Sequence, residues 1–408
     1  MGNGSILMLL DNAFRPDPRV ANEARSLARA GYRVTIIAWD REGGRPPVED
    51  WQGVRVERIH VASRHGRGSR QLLYLALFWW HAFWRAVDRR VDAVHCHDFD
   101  TLPLGWLIAA LKGCRLVYDA HESYADMLAA NVAPWIKRAV NRAERFLCRR
   151  ADAVLTVGEL LAADLRRRGA RRTWVVGNWK PLEEFAAIPP GDLAARRAEL
   201  GFEGGLLVAY IGWLNADRGI APLLEAVADL EGVFLLVGGD GPSAAAVRRA
   251  AAACPRVRYL GFVDPARVPL YTSMADVIYY GLDASNPNAR YSAPNKLFEA
   301  LAAGKAVVCN ECGEIGRIVR EEACGRVVAR LGREELAAAL RELREPDRLA
   351  ACQAHAREAG RLRYNWAQAE RELLALYESL GVRPPAAGFT LSGGCCAERE
   401  LRNALPKV

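Results

Sequence analysis

Lys296 and Glu299 stand in the first turns of what reads as a helix, and together they have the chemistry to hold an anion and a hydroxyl. From Asn286 to Asn295 the chain consists largely of turn formers, Ser292 among them. From Pro294 onward Leu297, Phe298, Leu301 and Ala302 recur at helical spacing, with Gly304 placed to close the helix. Pro294 suits a first helical position, where a missing N–H does no harm. The backbone N–H groups around Asn295 then sit at a positive dipole end, which attracts anions and phosphate above all. Lys296 adds a cation, and Glu299 can accept hydrogen bonds from sugar hydroxyls. A plainer reading stands beside this one: a buried helix with a dipole-compensating glutamate.

A second constellation lies in the N-terminal half. The apolar run from Asp92 to Cys96 ends in His97-Asp98-Phe99-Asp100, and Leu116-Val-Tyr-Asp-Ala runs out into His121-Glu122. Histidine and carboxylate at two successive strand ends point to a cleft above them, with hydrogen-bonded surface histidines as the alternative. Arg15 and Arg19 lie in a polar loop at another carboxyl strand end, where they could reach an anionic ligand or be solvated charges. Asp98-x-Asp100 has the bare pattern of a metal-binding carboxylate pair, and Cys309-Asn-Glu-Cys312 has half the spacing of a zinc site. Three residues of pattern are weak evidence, and the cysteines have no second Cys or His pair beside them, so no metal is expected.

Glycine turns form the third set. Gly212-Trp213-Leu-Asn-Ala-Asp-Arg218-Gly219 follows a buried strand and opens a helix, so its backbone can approach phosphate closely with Arg218 as the cation. Gly238-Gly239-Asp-Gly241-Pro242 is another tight turn under a helix, and Tyr259-Leu-Gly-Phe262-Val263 follows the next strand.

Strand–helix–strand alternation positions all of these, first over residues 5 to 177 and again from Leu206, which is the signature of parallel α/β sheets. A chain of 408 residues, 51% hydrophobic and 25% charged, is long enough for two such cores. Three prolines between Asn178 and Pro190 mark the interdomain crossing. The expected organisation is an N-terminal domain over 1–180, completed by the helix 364–380, a second domain over 190–363, and a tail over 381–408. Ten cysteines without framework spacing, and no basic n-region ahead of the first strand, lead to the expectation of a cytoplasmic protein. The net charge of +8 favours anionic partners, nucleotide phosphates or acidic lipid head groups rather than nucleic acid.

Taken in order, the Ser-Ala-Pro-Asn-Lys-Leu-Phe-Glu299 helix, the strand Ala306 to Cys309 after it and the three glycine turns resemble retaining family 4 glycosyltransferases. Asp17-Pro-Arg-Val-Ala-Asn-Glu-Ala resembles the start of many of them. The resemblance covers about residues 5 to 380 and implies a GT-B fold, two Rossmann-like doubly wound domains facing across a cleft. It implies a sugar moved from a nucleoside-diphosphate sugar to an acceptor hydroxyl with retention, in bacterial cell-surface polysaccharide or glycoconjugate synthesis, without cofactor or metal. Carried over residue by residue, Gly212, Arg218, Asn295 and Lys296 hold the diphosphate, Glu299 the ribose, and Phe262 and Val263 edge the base. Trp213, Gly239, Gly241, Ser292 and Leu297 belong to the same donor site. His121 holds the donor sugar, and Asp98 is an acceptor-side candidate. The chain departs from the family pattern at Tyr291 and Trp213, where charged residues are usual. A hydrolysing nucleotide-sugar epimerase and a non-catalytic nucleotide-sugar-binding protein remain alternatives. The first would release sugar and nucleoside diphosphate without an acceptor, and the second would turn over nothing.

Two further stretches bear on localisation. Residues 71–87 are apolar nearly all the way round and read as a buried helix or a membrane-interface one, too short to span a bilayer. The helix Trp135 to Arg150 carries Arg138, Arg142, Arg145 and Arg149 on one face. An anionic membrane surface at the inner face, and a sugar or lipid-linked acceptor, are therefore expected partners.

Overall fold

The computed structural model describes residues 4–14, 17–63, 70–128, 132–202 and 204–384. Arg15 and the tail from 385 onward lie outside the described residues.

Runs such as Ile6-Leu7-Met8-Leu9-Leu10, every residue at most 1% exposed, are apolar on both faces, and this forces them into the middle of a sheet covered on both sides. Eight strands form the first sheet, in the order Val48–Trp51, Val54–His60, Arg33–Asp40, Ser5–Leu10, Ala93–His97, Arg115–Ala120, Ala153–Thr156, Thr173–Val175. All neighbours pair in parallel except the first two. That edge hairpin, absent from the sequence reading, turns on Gln52-Gly53 with φ of 53° and 81°, the mirror-image turn that suits a two-residue connection. The second sheet is wholly parallel: Val257–Tyr259, Val233–Gly238, Leu206–Ile211, Val277–Tyr280, Ala306–Asn310, Gly325–Val328. Each sheet reverses its winding once, beside Ser5–Leu10 in the first and beside Leu206–Ile211 in the second. Both crevices open at carboxyl strand ends, the usual ligand position in doubly wound sheets.

The chain passes between the domains twice, and the two passages touch. Lys180 and Asn365 form an isolated parallel bridge, and the Trp366 N–H donates to the Lys180 carbonyl at 3.0 Å. Beyond this point Trp366–Ser379 packs on the first sheet, where Ala369, Leu373, Leu376 and Tyr377 share a buried cluster with Ile6 and Met8. The beginning of the expected loose tail is anchored as well, since the Val382 carbonyl accepts from the Tyr32 hydroxyl at 3.0 Å.

Three features go beyond what the sequence resolved. The segment Gly332 to Gly360 is two helices, Arg333–Leu343 and Pro346–Leu362, because Pro346 can begin a helix but not continue one. Pro190–Glu199 is a helix that starts on a proline, directly after the crossing. The helix Arg70–Val87 is buried only along Phe78, Ala82 and Ala86, while Leu72, Leu73, Leu77, Trp80 and Trp84 are exposed. Among the described residues no helix is long and apolar enough to cross a membrane.

Candidate active site

A cavity of about 390 Å³ lies between the two crevices. One wall carries Asp17, Arg19, His121 and Glu122, and the other Gly212, Trp213, Arg218, Tyr280 and the run from Tyr291 to Lys296.

The C-terminal wall starts from the helix Asn295–Ala303, which Gly304 closes with φ 63°. Pro294 precedes the helix rather than opening it. With ψ 144° it lies outside the helical region, and no side chain caps this end. The Lys296 stem passes over Gly212, where an added Cβ would come within 3.2 Å of Lys296 Cε. Helix start and glycine turn thus meet at one place. Arg218 ends a short 3-10 turn that Gly219 terminates at φ 62°, and its guanidinium lies 5.1 Å from the Tyr280 ring centroid. Lys296 Nζ is 3.3 Å from Glu299 Oε2. Lys180 Nζ lies 3.9 Å from the other oxygen and donates to Asn295 Oδ1 at 2.7 Å. Sequence reasoning missed Lys180, which sits between Trp179 and Pro181 in the crossing with no motif around it. Burial pulls its ammonium below the usual lysine pKa.

Several expected donor residues are set back from the cavity. Gly239 and Gly241 have φ of 133° and 140°, and a Cβ on either would strike the carbonyl of Gly212 or Leu214, at 1.8 and 2.5 Å. They brace the Gly212 turn from behind, helped by Gly212 N–H to the Gly238 carbonyl at 2.9 Å and Gly239 N–H to the Gly261 carbonyl at 2.6 Å. Leu297 is core, Glu299 stands buried behind Lys296, and Val263 packs on Gly238. Phe262 is 76% exposed and Trp213 63%. Trp213 and Ser292 line the cavity.

The N-terminal wall is a net of buried charges. Register pairs His97 with Asp119 on adjacent strands. His121, two residues beyond Asp119, has Nε2 2.9 Å from Asp119 Oδ2 and Nδ1 3.1 Å from Asp98 Oδ2. Burial works against its charge, but the two carboxylates win and hold its pKa well above the usual value, so His121 is an imidazolium. Both ring nitrogens donate, and no lone pair is free for proton abstraction. Asp98 takes φ 60°, a conformation aspartate tolerates, and also accepts the His121 N–H at 3.2 Å. Asp119 is buried, yet Arg19 and His121 hold it well below the carboxylate range.

Arg19 departs from the expected role. Its guanidinium binds Asp119 with two nitrogens at 2.7 and 3.0 Å, approaches Glu23 at 3.2 Å and donates to the Val176 carbonyl. Only its edge lines the cavity, and its charge is engaged from within. Glu23, His95, His97 and Asp119 offer ligand-type atoms within 4.8 Å of one another. Arg19 already supplies the positive charge among their oxygens. Further out, burial and the neighbouring Asp11 push Asp100 up to about 6, while Tyr124 donates to it at 2.6 Å. Asp100 therefore titrates close to neutrality.

Residues 16–179 match the model of the Glycosyl transferase 4-like domain, and residues 205–345 match that of Glycosyl transferases group 1. Among curated relatives, D-inositol 3-phosphate glycosyltransferase of Segniliparus rotundus is 26% identical over 88% of this chain and 83% of its own. In fold the chain is similar to sucrose-phosphate synthase of Thermosynechococcus elongatus, with TM-score 0.77 and 20% identity over 92% of this chain and 99% of the other. Anabaena HepE, solved in complex with UDP-glucose, is similar with TM-score 0.68 and 17% identity over 92% of this chain and 99% of its own. The two family matches fall on the two sheets whose carboxyl edges form the cavity, and the chain belongs to the group 1 glycosyltransferases of family 4, with the GT-B fold.

Proposed function

We propose that this glycosyltransferase takes a nucleoside-diphosphate sugar as donor and transfers the sugar to an acceptor hydroxyl with retention, without a metal ion. The observation that carries the reading is that Lys296 at an uncapped helix start, the Gly212 turn and Arg218 line one cavity, opposite an imidazolium. The first three suit a diphosphate, with the cations at the leaving group and backbone N–H groups in line. In the step itself the anomeric carbon–phosphate oxygen bond breaks and the bond to the acceptor oxygen forms on the same face. The acceptor proton passes to the departing diphosphate. His121 contributes a fixed positive charge beside the donor sugar. That same charge state leaves His121 without a free lone pair to act as an epimerase's base. The test is thermal shift with UDP, GDP, ADP and dTDP in the presence of a chelator. A ligand at a hundred times its Kd stabilises by about 2.7 kcal/mol, a rise of roughly 5–10 °C for a domain this size. No shift with any of them, or a shift only with divalent cation, overturns the reading.

The acceptor side adds a partner. Leu72, Leu73, Leu77, Trp80 and Trp84 are exposed, and Leu107 and Leu111 are exposed on the neighbouring helix Asp98–Lys112. Beyond it Pro134–Cys148 exposes Trp135 and Phe146 around Arg138, Arg142 and Arg145, with Arg149 just after the helix, while its single acid, Glu144, is buried on Arg168. Apolar side chains set among cations fit an anionic bilayer, each basic residue contributing about 1 kcal/mol. A lipid-linked acceptor and an inner-face peripheral location follow. The protein should sediment with anionic vesicles but not neutral ones. Binding should weaken as salt shortens the Debye length from about 10 to about 3 Å. Changing the four arginines to Gln should release it. A wild-type protein that stays in the supernatant at low salt removes the membrane from the proposal.

A further inference from the structure

Glu314 is the second residue of a helix of the C-terminal domain, Gly313–Glu321, yet its side chain serves the N-terminal domain. It is 2% exposed, and its two oxygens accept the N–H groups of Glu159 at 2.8 Å and Leu160 at 3.3 Å. These are the first residues of the helix Glu159–Arg168, whose own N-cap is Gly158 and which has no side-chain cap from its own chain segment. Arg317 steadies the carboxylate from one turn away, at 2.7 Å. The Glu314 backbone N–H meanwhile donates to the Ser292 carbonyl at 3.2 Å. Ser292 lines the C-terminal wall of the cleft, and Val157, just before Gly158, lies on the opposite wall. One residue thus holds a piece of each wall. The contact stands beside the interdomain passages, because Gly158 and Glu314 share a second cavity of about 480 Å³ with Trp179 and Tyr364.

From this geometry we infer that Glu314 is a positioning residue, a helix cap supplied across the domain boundary that sets the spacing between the two walls of the cleft. Gly158 carries the sequence trace of this arrangement. Its φ is −169°, which any residue adopts, but an added Cβ would come within 2.9 Å of the Glu314 carboxyl group. Glycine is required there by the clasp and not by the backbone.

The inference rests on the transfer reading for its kinetic arm alone, and the test keeps the two apart. Dyes placed on the two domains report closure by energy transfer, with UDP-induced melting shift and turnover measured alongside. Glu314→Ala should lower the closed-to-open ratio about tenfold, the usual consequence of losing one helix cap. Turnover should fall with it while the UDP melting shift stays. Glu314→Gln, whose amide oxygen still accepts, should recover most of the closure. Gly158→Ala should open the wild type to a similar degree and add nothing in the Glu314→Ala background, since the clashing carboxyl group is gone. Closure unchanged in Glu314→Ala, or additive effects of the two substitutions, overturns the inference. If no donor is turned over at all, the transfer reading fails and the energy-transfer cycle still decides whether Glu314 clasps the domains.

Discussion

On the N-terminal side of the cleft the buried charges pair with one another: His121 lies between Asp98 and Asp119, and Arg19 between Asp119 and Glu23. On the C-terminal side the cations are looser. Lys296 and Arg218 stand 3.3 and 3.6 Å from single carboxylate oxygens, and the helix end between them has no cap. Both edges are carboxyl ends of parallel strands, but one is neutralised from within and the other is left open to an incoming anion. A pre-satisfied net costs little reorganisation and fixes geometry, whereas an open cationic edge gains most when a diphosphate arrives. Recognition is thus expected on one side of the cleft and orientation on the other.

The largest effect should come from breaking the net at its exposed end. His121→Ala removes the imidazolium and leaves Asp98 and Asp119 facing each other, so turnover should fall by ~10²-fold or more. UDP affinity, belonging to the other wall, should change little, and a parallel loss of both would erase the division between the walls. A smaller effect is expected from Glu299→Gln. If the ribose role implied by the resemblance holds, this removes a charged acceptor whose hydrogen bonds are each worth about 1.5–3 kcal/mol, and diphosphate affinity should drop roughly tenfold or more by calorimetry with the melting temperature retained. Unchanged affinity would return Glu299 to the plain role of dipole compensation.

The mildest change sharpens the comparison through pH. Burial, then Asp119, raise the Glu23 pKa from 4.5 to about 7. A raised carboxyl binds its proton more tightly in the folded state than in the unfolded one, so stability falls as pH climbs from about 4.5 to about 7 and is level beyond. Glu23→Gln replaces the carboxyl with a neutral isostere, and its melting temperature should lack that decline. Equal pH dependence of wild type and variant would mean that the Glu23 proton is not held inside the net.

Local rules made much of this legible beforehand. Apolar runs bounded by turns identified the strands, Gly304 and the Leu297 periodicity identified the helix, and histidines at two successive strand ends identified the N-terminal wall. The hairpin strand Val48–Trp51 escaped because it is exposed at its start and half-polar, and the helix Pro190–Glu199 because it buries no residue and so shows little apolar periodicity. Lys180 and Glu314 could not be found by any spacing rule, since their partners, Asn295 and the helix start at Glu159, lie 115 and 155 residues away.

The sequence by itself determined the two parallel sheets, the glycine turns and which strand ends carry polar side chains, because periodicity and turn chemistry act over a few residues. Only the tertiary structure decided which charges are free. Arg19 and Arg218 look alike as residues, yet Arg19 is 6% exposed on Asp119 and Arg218 is 25% exposed over Tyr280. Burial and the approach of distant carboxylates set the charge and availability of each group, and both arise only when separate strands and helices are brought together.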